Sequence, residues 1–363
     1  MVRGMSIAHP LSIRILLEER DASRPLNLRG ELLSLNGDKG RDSELNCKFK
    51  DPSWICSTKS IKKIKLPLSV SSDEGFVHMG KSFYRSKIEL IPKGKKVLII
   101  NELDLESYLV GIVNSEISSK YPREAIKAQV VAARSYALAC AADRRKRGSL
   151  YDLDSTEMDQ VYKGAQVEDA MSHFAVRETR GEVLTWNNHV LKAYYHSSSG
   201  GSMELPEEVW GGGSTVLKKY DHGAFALGMS PPESLDGDFY WKIVFGSALG
   251  LKINGLGFLR DIQIIERTPS ERVRKVLLIG DMATKILTGP QLRKLFGGRW
   301  LKSTLFFIIK KGSRWVIEGR GFGHGVGLSQ LGARNLAKKG WNYKKILNSY
   351  YPSSKLKRLA LVD

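Results

Sequence analysis

Long apolar segments are absent from this sequence of 363 residues. A helix needs roughly 20 apolar residues to cross a bilayer, and charged side chains cut off the best candidate, residues 97–100, on both sides. The sequence therefore predicts no membrane span. Residues 1–10 also lack the apolar core of an export signal, so we expect either a cytoplasmic protein or a chain whose signal has been removed.

Cysteine is scarce as well, and the three examples are Cys47, Cys56 and Cys140. Three thiols cannot build a disulfide framework or a closed zinc site by themselves. At most, Cys47 and Cys56 pair. Cys140 lies in an alanine-rich helical stretch, which predicts a buried free thiol.

Acidic residues are outnumbered, since 57 Lys and Arg against 38 Asp and Glu give a formal net charge of +19. Such a charge attracts an anionic partner, which includes nucleic acid, an anionic membrane and an acidic polymer. The dense basic run at 144–147 directly follows a predicted helix, and no zinc-finger, RNA-recognition or basic-zipper signature accompanies it. We interpret this run as a solvated helix end that the helix dipole favours. Charge alone identifies no partner.

The order of the predicted elements indicates an α+β fold. Short strands broken by turns fill the first hundred residues, and helices follow over 104–142. Residues 181–195 predict a hairpin that turns at Asn187-Asn188. A glycine-rich loop region then extends to about 240. Later strands are predicted at 262–266, 273–279 and 305–309, followed by a glycine-alternating strand and two short helices that reach Tyr351.

One carboxylate shares a helix face with apolar residues. Leu105, Leu109, Ile112 and Glu116 are spaced as one stripe of an α-helix. A carboxyl group on such a stripe is either paired with a cation or kept protonated by desolvation, and the protonated state is the one that a general acid needs near neutral pH. The alternative is a surface glutamate at the exposed helix end, which carries no chemistry.

A second helix is predicted to begin at Pro122, a favourable first-turn residue. Its many alanines let another backbone approach closely. Gln129, Ala133 and Tyr136 share one face of this helix. That face either lines a polar pocket or belongs to the core, and the residues alone favour the core.

Five glycines alternate over 319–327, which predicts a strand with one face bare of side chains. A ligand or a second chain segment can press against such a face. The phosphate-binding glycine patterns are missing, and the serine-hydrolase elbow fails around Ser329 because its last glycine is absent. Ser329 is instead predicted to cap a helix through Lys339. His324 is a ligand, a base or a packed core histidine.

His196 precedes a cluster of three serines, 197–199, and two glycines. A polar loop with a hydrogen-bonded histidine explains this pattern without chemistry. No cysteine lies near His196 and the two-histidine zinc motif of metalloproteases is missing, so we expect no metal site.

Several of these segments resemble the SpoIID/LytB family and occur in that family's order. The matching segments are 106–117, the helix 124–137, 160–164 (Gln-Val-Tyr-Lys-Gly), 196–201, 319–333 and Tyr350-Tyr351-Pro352. Several ordered motifs are far more specific than one short pattern. From this similarity we expect a β-rich N-terminal region over 1–98, a SpoIID-like catalytic core over 99–352 and a short basic tail over 353–363.

The resemblance implies a lytic transglycosylase that acts on peptidoglycan strands stripped of their stem peptides. In the implied α+β fold, a helical part that carries the catalytic glutamate packs against β-rich parts, with the substrate groove between them. Glu116 matches the family's catalytic acid. Its neutral carboxyl group would protonate the oxygen between N-acetylmuramic acid and N-acetylglucosamine. The resulting carboxylate would deprotonate the muramoyl C6 hydroxyl, and ring closure gives a 1,6-anhydro product without a second carboxylate.

The resemblance also implies sugar-binding residues, partners and a location. The positions expected to shape the groove are Gln129, Arg134, Tyr136, Gln160, Tyr162, His196, Ser197, His324 and Gln330. Peptide-free glycan carries a carboxylate on every muramic unit, so a protein of charge +19 is attracted to it. We expect no cofactor, and no zinc, because the cysteines that bind zinc in some members are missing after His196. A cell-envelope location follows from the resemblance alone.

Two other functions compete with this reading. A non-catalytic wall-binding module that assists a cell-wall amidase, as LytB-type relatives are thought to do, would keep the groove and the charge without depending on Glu116. A cationic nucleic-acid binder is supported only by the net charge and the run 144–147, and we expect no nucleic-acid partner.

Overall fold

The computed structural model describes residues 6–7, 12–211, 225, 228–229, 240–246, 252–312 and 314–361. The chain divides into two compact units, unit 1 (Met1–Leu184 and Leu356–Asp363) and unit 2 (Thr185–Lys355). Helices and several sheets occur together, which confirms the α+β class. The groove and the division at residues 98 and 352 stay predictions. Among the described residues, no helix combines the length and the apolar content that a bilayer crossing requires.

A ten-stranded sheet organises unit 1. The strands of this unit are β1 (Ser6–Ile7), β2 (Ser12–Arg20), β3 (Leu26–Arg29), β4 (Leu33–Leu35), β5 (Glu44–Lys50), β6 (Ser53–Ser57), β7 (Ile64–Lys65), β8 (Leu68–Met79), β9 (Ser82–Lys93), β10 (Lys96–Asp104) and β11 (Leu153–Asp154). The sheet has the order β11-β2-β10-β9-β8-β3-β5-β6-β7, with β4 paired to β8. The predicted strand-rich start of the chain is therefore confirmed.

Three helices complete unit 1, namely α1 (Leu105–Glu116), α2 (Arg123–Lys146) and α3 (Ala170–Glu178). α1 begins where the Asp104 side chain accepts hydrogen bonds from two backbone N–H groups of the first turn. Pro122 is the N-cap residue of α2, so the helix begins one residue after the predicted start. Residues 97–101 of β10 are buried because β2 and β9 pair with its edges and α1 contacts it.

The basic run at the end of α2 is only partly solvated, which corrects the sequence interpretation. Arg144 lies 2.7 Å from Asp159, and Arg145 lies 2.5 Å from Asp152. The aspartates hold this helix end against the chain that follows it, because a mostly buried carboxylate requires a charged or hydrogen-bonding partner.

Both cysteine predictions are confirmed. Cys47 and Cys56 are directly opposite each other on β5 and β6 and form a disulfide. Cys140 is a free thiol buried in α2.

Unit 2 is built from small sheets and short helices. Its strands are β12 (Glu182–Trp186, which begins in unit 1), β13 (His189–Val190), β14 (Tyr195–His196), β15 (Ser202–Met203), β16 (Gly228–Met229), β17 (Tyr240–Gly246), β18 (Lys252–Ile253), β19 (Gly257–Arg267), β20 (Val273–Gly280), β21 (Thr284–Thr288), β22 (Phe306–Lys311), β23 (Arg314–Arg320) and β24 (Leu328–Ser329). The helices are α4 (Pro206–Trp210), α5 (Gly289–Phe296), α6 (Gln330–Lys338) and α7 (Tyr343–Tyr350). The chain closes with β25 (Lys355–Arg358) and with β26 (Ala360–Leu361), which pairs with β1.

Two sheets of unit 2, β18-β19-β20-β21 and β17-β23-β22, share one apolar core. Trp241, Leu278, Leu292, Phe306 and Ile317 are buried in it, and Leu292 comes from α5. The three later strands predicted from sequence are confirmed. The glycine-rich loop predicted up to residue 240 lies largely outside the described residues.

The predicted hairpin is also present, since β12 and β13 pair across Asn187-Asn188. Both asparagines have positive φ, 46° and 62°. Asparagine tolerates this left-handed conformation better than most residues, and two such residues in a row make the turn that matches strand twist.

Candidate active site

The Glu116 carboxyl group ends the apolar stripe of α1. Leu105, Leu109 and Ile112 are buried, and Glu116, the last residue of the helix, is half-buried. The backbone N–H of Val161 donates a hydrogen bond of 2.6 Å to Glu116 Oε1. This bond fixes the direction of the carboxyl group at the helix end.

The residues on either side of Val161 anchor the same segment inside unit 1. Gln160 Oε1 accepts a hydrogen bond of 3.0 Å from the Tyr108 hydroxyl. The Tyr162 hydroxyl donates to Asn101 Oδ1 at 2.8 Å. Gln160 and Tyr162 are both buried, so these two predicted sugar-binding side chains hold the backbone that contacts Glu116.

Two residues of α1, Tyr108 and Gly111, contact the segment 160–162. Burial, and then the charge of Glu116, raises the pKa of Tyr108 well above its ordinary value, so this phenol stays protonated and continues to donate to Gln160. Gly111 makes room for Tyr162, because a Cβ at position 111 would lie 2.7 Å from the tyrosine ring.

Arg134 is fully buried between helices of unit 1. Its Nε and Nη2 atoms donate to the two carboxylate oxygens of Glu106 at 2.9 and 2.7 Å, and Nη1 donates to the Glu182 carbonyl at 3.1 Å. The guanidinium therefore binds α1 to α2, and a direct contact with a sugar would require this ion pair to open.

Gln129 and Tyr136 are likewise buried in α2. The Tyr136 hydroxyl donates to Asp159 Oδ1 at 3.3 Å, and Asp159 also pairs with Arg144. Sequence reasoning missed Asp159, although it directly precedes Gln160 in a matched segment. Its carboxylate ties α2 to the segment that holds Glu116.

In unit 2 the glycine-rich segment departs from the sequence prediction. β23 ends at Arg320, so a glycine-alternating strand over 319–327 is wrong beyond that point. The reason is conformational, since Gly321, Gly323, Gly325 and Gly327 have φ values of 77°, 112°, 87° and 70°, which side chains strongly disfavour and strands do not use.

The expectation that a second chain segment presses against these glycines is confirmed. A Cβ at Gly321 would lie 2.6 Å from Gly200 N, and one at Gly323 would lie 2.7 Å from His196 Cβ. A Cβ at Gly327 would collide with the Tyr194 carbonyl oxygen. The loop therefore needs glycine for space as well as for φ.

His196 and His324 lie next to each other across this contact, with ring centroids 5.3 Å apart. The Val326 carbonyl oxygen is 3.1 Å from His196 Nδ1, and the Val326 N–H donates to His324 Nδ1 at 3.0 Å. These partners place the proton of the neutral ring on Nδ1 in His196 and on Nε2 in His324.

Both imidazoles are neutral near neutral pH. Burial, followed by the positive charges of Arg272 and Arg293, lowers the pKa of His324 to about 3. Burial, followed by His324 and Arg272, holds the pKa of His196 well below its usual value.

The start of α6 completes the predicted positions in unit 2. The Ser329 hydroxyl accepts a hydrogen bond of 3.2 Å from the Gly332 N–H, which confirms the predicted cap. Gln330 is buried at the first position of the helix. Ser197 is exposed, and its carbonyl oxygen accepts from the Leu331 N–H at 3.0 Å.

Sequence reasoning missed an aromatic group beside His324. Tyr194 stacks on Trp210 with ring centroids 4.4 Å apart, and the Trp210 ring lies 5.1 Å from that of His324. Trp210 is 45% exposed. Tyr194 lies two residues before His196, and this closeness in the sequence was the signal that could have identified it.

The structure thus divides the predicted residues between the two units. Glu116, Gln129, Arg134, Tyr136, Gln160 and Tyr162 belong to unit 1, and His196, Ser197, His324 and Gln330 belong to unit 2. Within the described part of the chain, no three His, Cys, Asp or Glu side chains gather closely enough to hold a metal ion. The expectation of no metal stays a prediction.

Comparison with known proteins finds both family models and individual relatives that match this chain. Residues 93–186 match the SpoIID family model, described as stage II sporulation protein, and residues 248–327 match a domain of unknown function. Stage II sporulation protein D of Bacillus subtilis (strain 168) is 30% identical over 272 residues, which is 71% of this chain and 75% of the relative. The Bacillus amyloliquefaciens protein of that name is 32% identical over 267 residues, 69% of this chain and 74% of the relative. An amidase enhancer of Bacillus subtilis (strain 168) is 29% identical over 293 residues, 68% of this chain but 40% of the enhancer.

Proposed function

The chain belongs to the stage II sporulation protein D family, and we propose that it is a lytic transglycosylase acting on peptidoglycan in the cell envelope. The family and the amidase enhancer relative support a role related to the cell wall. The proposed substrate is the glycan strand without stem peptides, and the proposed reaction cleaves the bond from N-acetylmuramic acid to N-acetylglucosamine.

One observation carries the assignment of Glu116. Of the six predicted residues in unit 1, Glu116 is the one that is not buried. Its carboxyl group is held by the Val161 N–H, and the other five side chains are buried in the interior of unit 1. A reactive group must meet its substrate in a fixed geometry, and Glu116 combines partial exposure with a fixed direction.

The chemistry needs one carboxyl group and no water. Protonated Glu116 donates its proton to the glycosidic oxygen as the bond from this oxygen to muramoyl C1 breaks. The Glu116 carboxylate then takes the proton of the C6 hydroxyl, and the C6 oxygen bonds to C1. The products are a 1,6-anhydromuramoyl end and a free N-acetylglucosamine hydroxyl, and Glu116 is protonated again.

The remaining predicted residues act in two ways in this proposal. One group positions α1, α2 and the segment that contacts Glu116, and it consists of Arg134, Tyr136, Gln160 and Tyr162. The positions in unit 2 are proposed to contact sugars, whereas Gln129 is buried in α2. The exposed Trp210 ring offers a flat apolar surface for a sugar face. The proposed reaction uses no cofactor and no metal.

Digestion of peptide-free glycan strands, read by mass spectrometry, tests this function. The protein is expected to release anhydromuramoyl ends, and Glu116→Gln is expected to release none. The amide keeps an oxygen that accepts the Val161 hydrogen bond but cannot serve as the acid. Glu178→Gln is the matched control, because Glu178 ends α3 as Glu116 ends α1, and it should cut normally.

The amidase enhancer relative favours a second candidate, a non-catalytic module that stimulates a cell-wall amidase. This function predicts that wild type and Glu116→Gln both bind the strands, that neither cuts them, and that both accelerate an amidase equally. Equal stimulation without cleavage would replace the transglycosylase proposal.

A further inference from the structure

A groove in unit 2 lies beside α5, within the residues that match the domain of unknown function. Its volume is about 650 Å³, and small-molecule sites typically enclose roughly 300–1,000 Å³. The walls come from β18, β20, β21 and α5. The groove is therefore large enough for a ligand of its own.

The floor of this groove is apolar and mostly aliphatic. The floor is defined by the five apolar residues that line the groove, Ile253, Leu278, Leu287, Leu295 and Phe296. Leu295 is 46% exposed although it is one of the large apolar side chains of unit 2. When a hydrocarbon covers apolar surface that is open to water in a concave site, the free energy of the system falls.

The charged side chains that line the groove are cationic. Lys252, Lys285 and Lys294 line it, and no Asp or Glu is among its described lining residues. Lys252 lies over the Phe258 ring, with the nitrogen 6.0 Å from the ring centroid. In the described part of the chain, none of the three ammonium groups forms an ion pair with a carboxylate. The described lining of the groove thus joins aliphatic side chains to positive charges, with no carboxylate among them.

We propose that this groove binds a single-chain anionic amphiphile, a hydrocarbon chain that ends in a phosphate or carboxylate. The chain covers the aliphatic floor, and the head group meets the lysine ammonium groups. A sugar suits the lining less well, because it offers one aromatic ring and two amide side chains, Asn254 and Gln291. A concave site also favours one monomeric amphiphile over the flat surface of a membrane. This binding is independent of Glu116 and of glycan cleavage.

Calorimetric titration of the full chain with decyl phosphate, below its critical micelle concentration, tests the proposal. Decyl phosphate is expected to bind at least about tenfold more tightly than hexyl phosphate, because each additional buried methylene strengthens binding. Inorganic phosphate and decyltrimethylammonium should bind more weakly still. Failure of the longer chain to bind more tightly than the shorter one would overturn the proposal, and this comparison uses the unmodified protein.

Charge reversal locates the site. Lys285→Glu/Lys294→Glu is expected to weaken decyl phosphate binding at least about tenfold. Lys62→Glu/Lys63→Glu makes the same change of net charge on exposed lysines of unit 1 and should leave the affinity unchanged. Equal losses of decyl phosphate affinity in both variants would show that overall charge causes the effect. That result would contradict binding in the groove. Binding to phosphatidylglycerol vesicles without binding of the monomer would assign a membrane surface instead and would also overturn it.

Discussion

The backbone N–H of Val161 donates a 2.6 Å hydrogen bond to Glu116 Oε1, across 45 residues of sequence. The donor is a backbone group, so the side chain at 161 does not select this bond. The bond depends instead on where the chain runs, and the buried Gln160 and Tyr162 side chains determine that course. The carboxyl group is therefore oriented by a segment that is itself anchored on both sides.

Removal of the Arg134 guanidinium is expected to destabilise unit 1. Arg134→Ala leaves the partly exposed Glu106 carboxylate without its cationic partner, and breaking a buried ion pair costs about 3–5 kcal/mol. Lys93→Ala is the control, because its pair with Glu19 is exposed, with 61% of the lysine side chain accessible, and such pairs contribute at most about 1 kcal/mol. Urea unfolding of both variants measures the difference. A loss below about 1 kcal/mol for Arg134→Ala would contradict the buried pair.

Gly327→Ala is expected to destabilise unit 2 much more than Gly312→Ala. Both glycines have positive φ, 70° and 59°, so both substitutions incur the strain of the left-handed region, about 1–2 kcal/mol. A Cβ at 327 also collides with the Tyr194 carbonyl, whereas no atom of the described residues lies within 4 Å of one at 312. Thermal unfolding should therefore show a larger shift for Gly327→Ala. Equal shifts would mean that the 194–200 segment does not press against this loop.

The pair of neighbouring histidines, the buried His196 and the half-buried His324, is expected to make stability fall as the pH falls. Above pH about 6.5 the unfolded and folded imidazoles are both neutral and contribute nothing. Below that pH the unfolded chain binds protons that the folded chain excludes, so stability is lost by up to about 1.4 kcal/mol per pH unit for each histidine. For His324 this loss continues until the pH reaches its folded pKa of about 3.

Unfolding free energies between pH 6.5 and about 5 measure this effect before most carboxylates titrate. The double variant His196→Gln/His324→Gln should flatten the dependence, whereas replacement of the exposed His189 by Gln should not. An unchanged slope in the double variant would show that the pair is not excluded from protonation in the folded protein.

Local signals explain what the sequence predicted well. The Ser329 cap, the Asn187-Asn188 turn and the apolar stripe that ends at Glu116 all depend on neighbours within a few residues, and each is present. The Cys47–Cys56 disulfide joins two strands of one hairpin. Such features follow from spacing because their partners are close in the chain.

The remaining features depend on contacts between distant segments. Arg134 is buried because Glu106 meets it from another helix, and no pattern around residue 134 indicates that partner. Alternating glycines fit a bare-faced strand and a loop with positive φ equally well, and the packing of residues 194–200 decides between them. Hence a motif position such as Gln160 is predicted to matter, but its burial is not.

Binding to peptide-free glycan is expected to weaken with added salt. The net charge of +19 acts on a polyanion, and screening shortens the range of charge interactions from about 10 Å at 0.1 M to about 3 Å at 1 M ionic strength. Binding of an uncharged N-acetylglucosamine oligomer should change little, and duplex DNA should show no shift at physiological salt. Salt-independent glycan binding, or tight DNA binding, would contradict the proposed partner.

In the proposed reaction, Glu116 drives cleavage without water. Digestion of peptide-free strands in ¹⁸O-labelled water, followed by mass spectrometry of the new muramoyl ends, tests it directly. We expect unlabelled 1,6-anhydro ends from the wild type and from Glu178→Gln, and no new ends from Glu116→Gln. Reducing muramoyl ends that carry ¹⁸O, or cleavage that persists in Glu116→Gln, would contradict it.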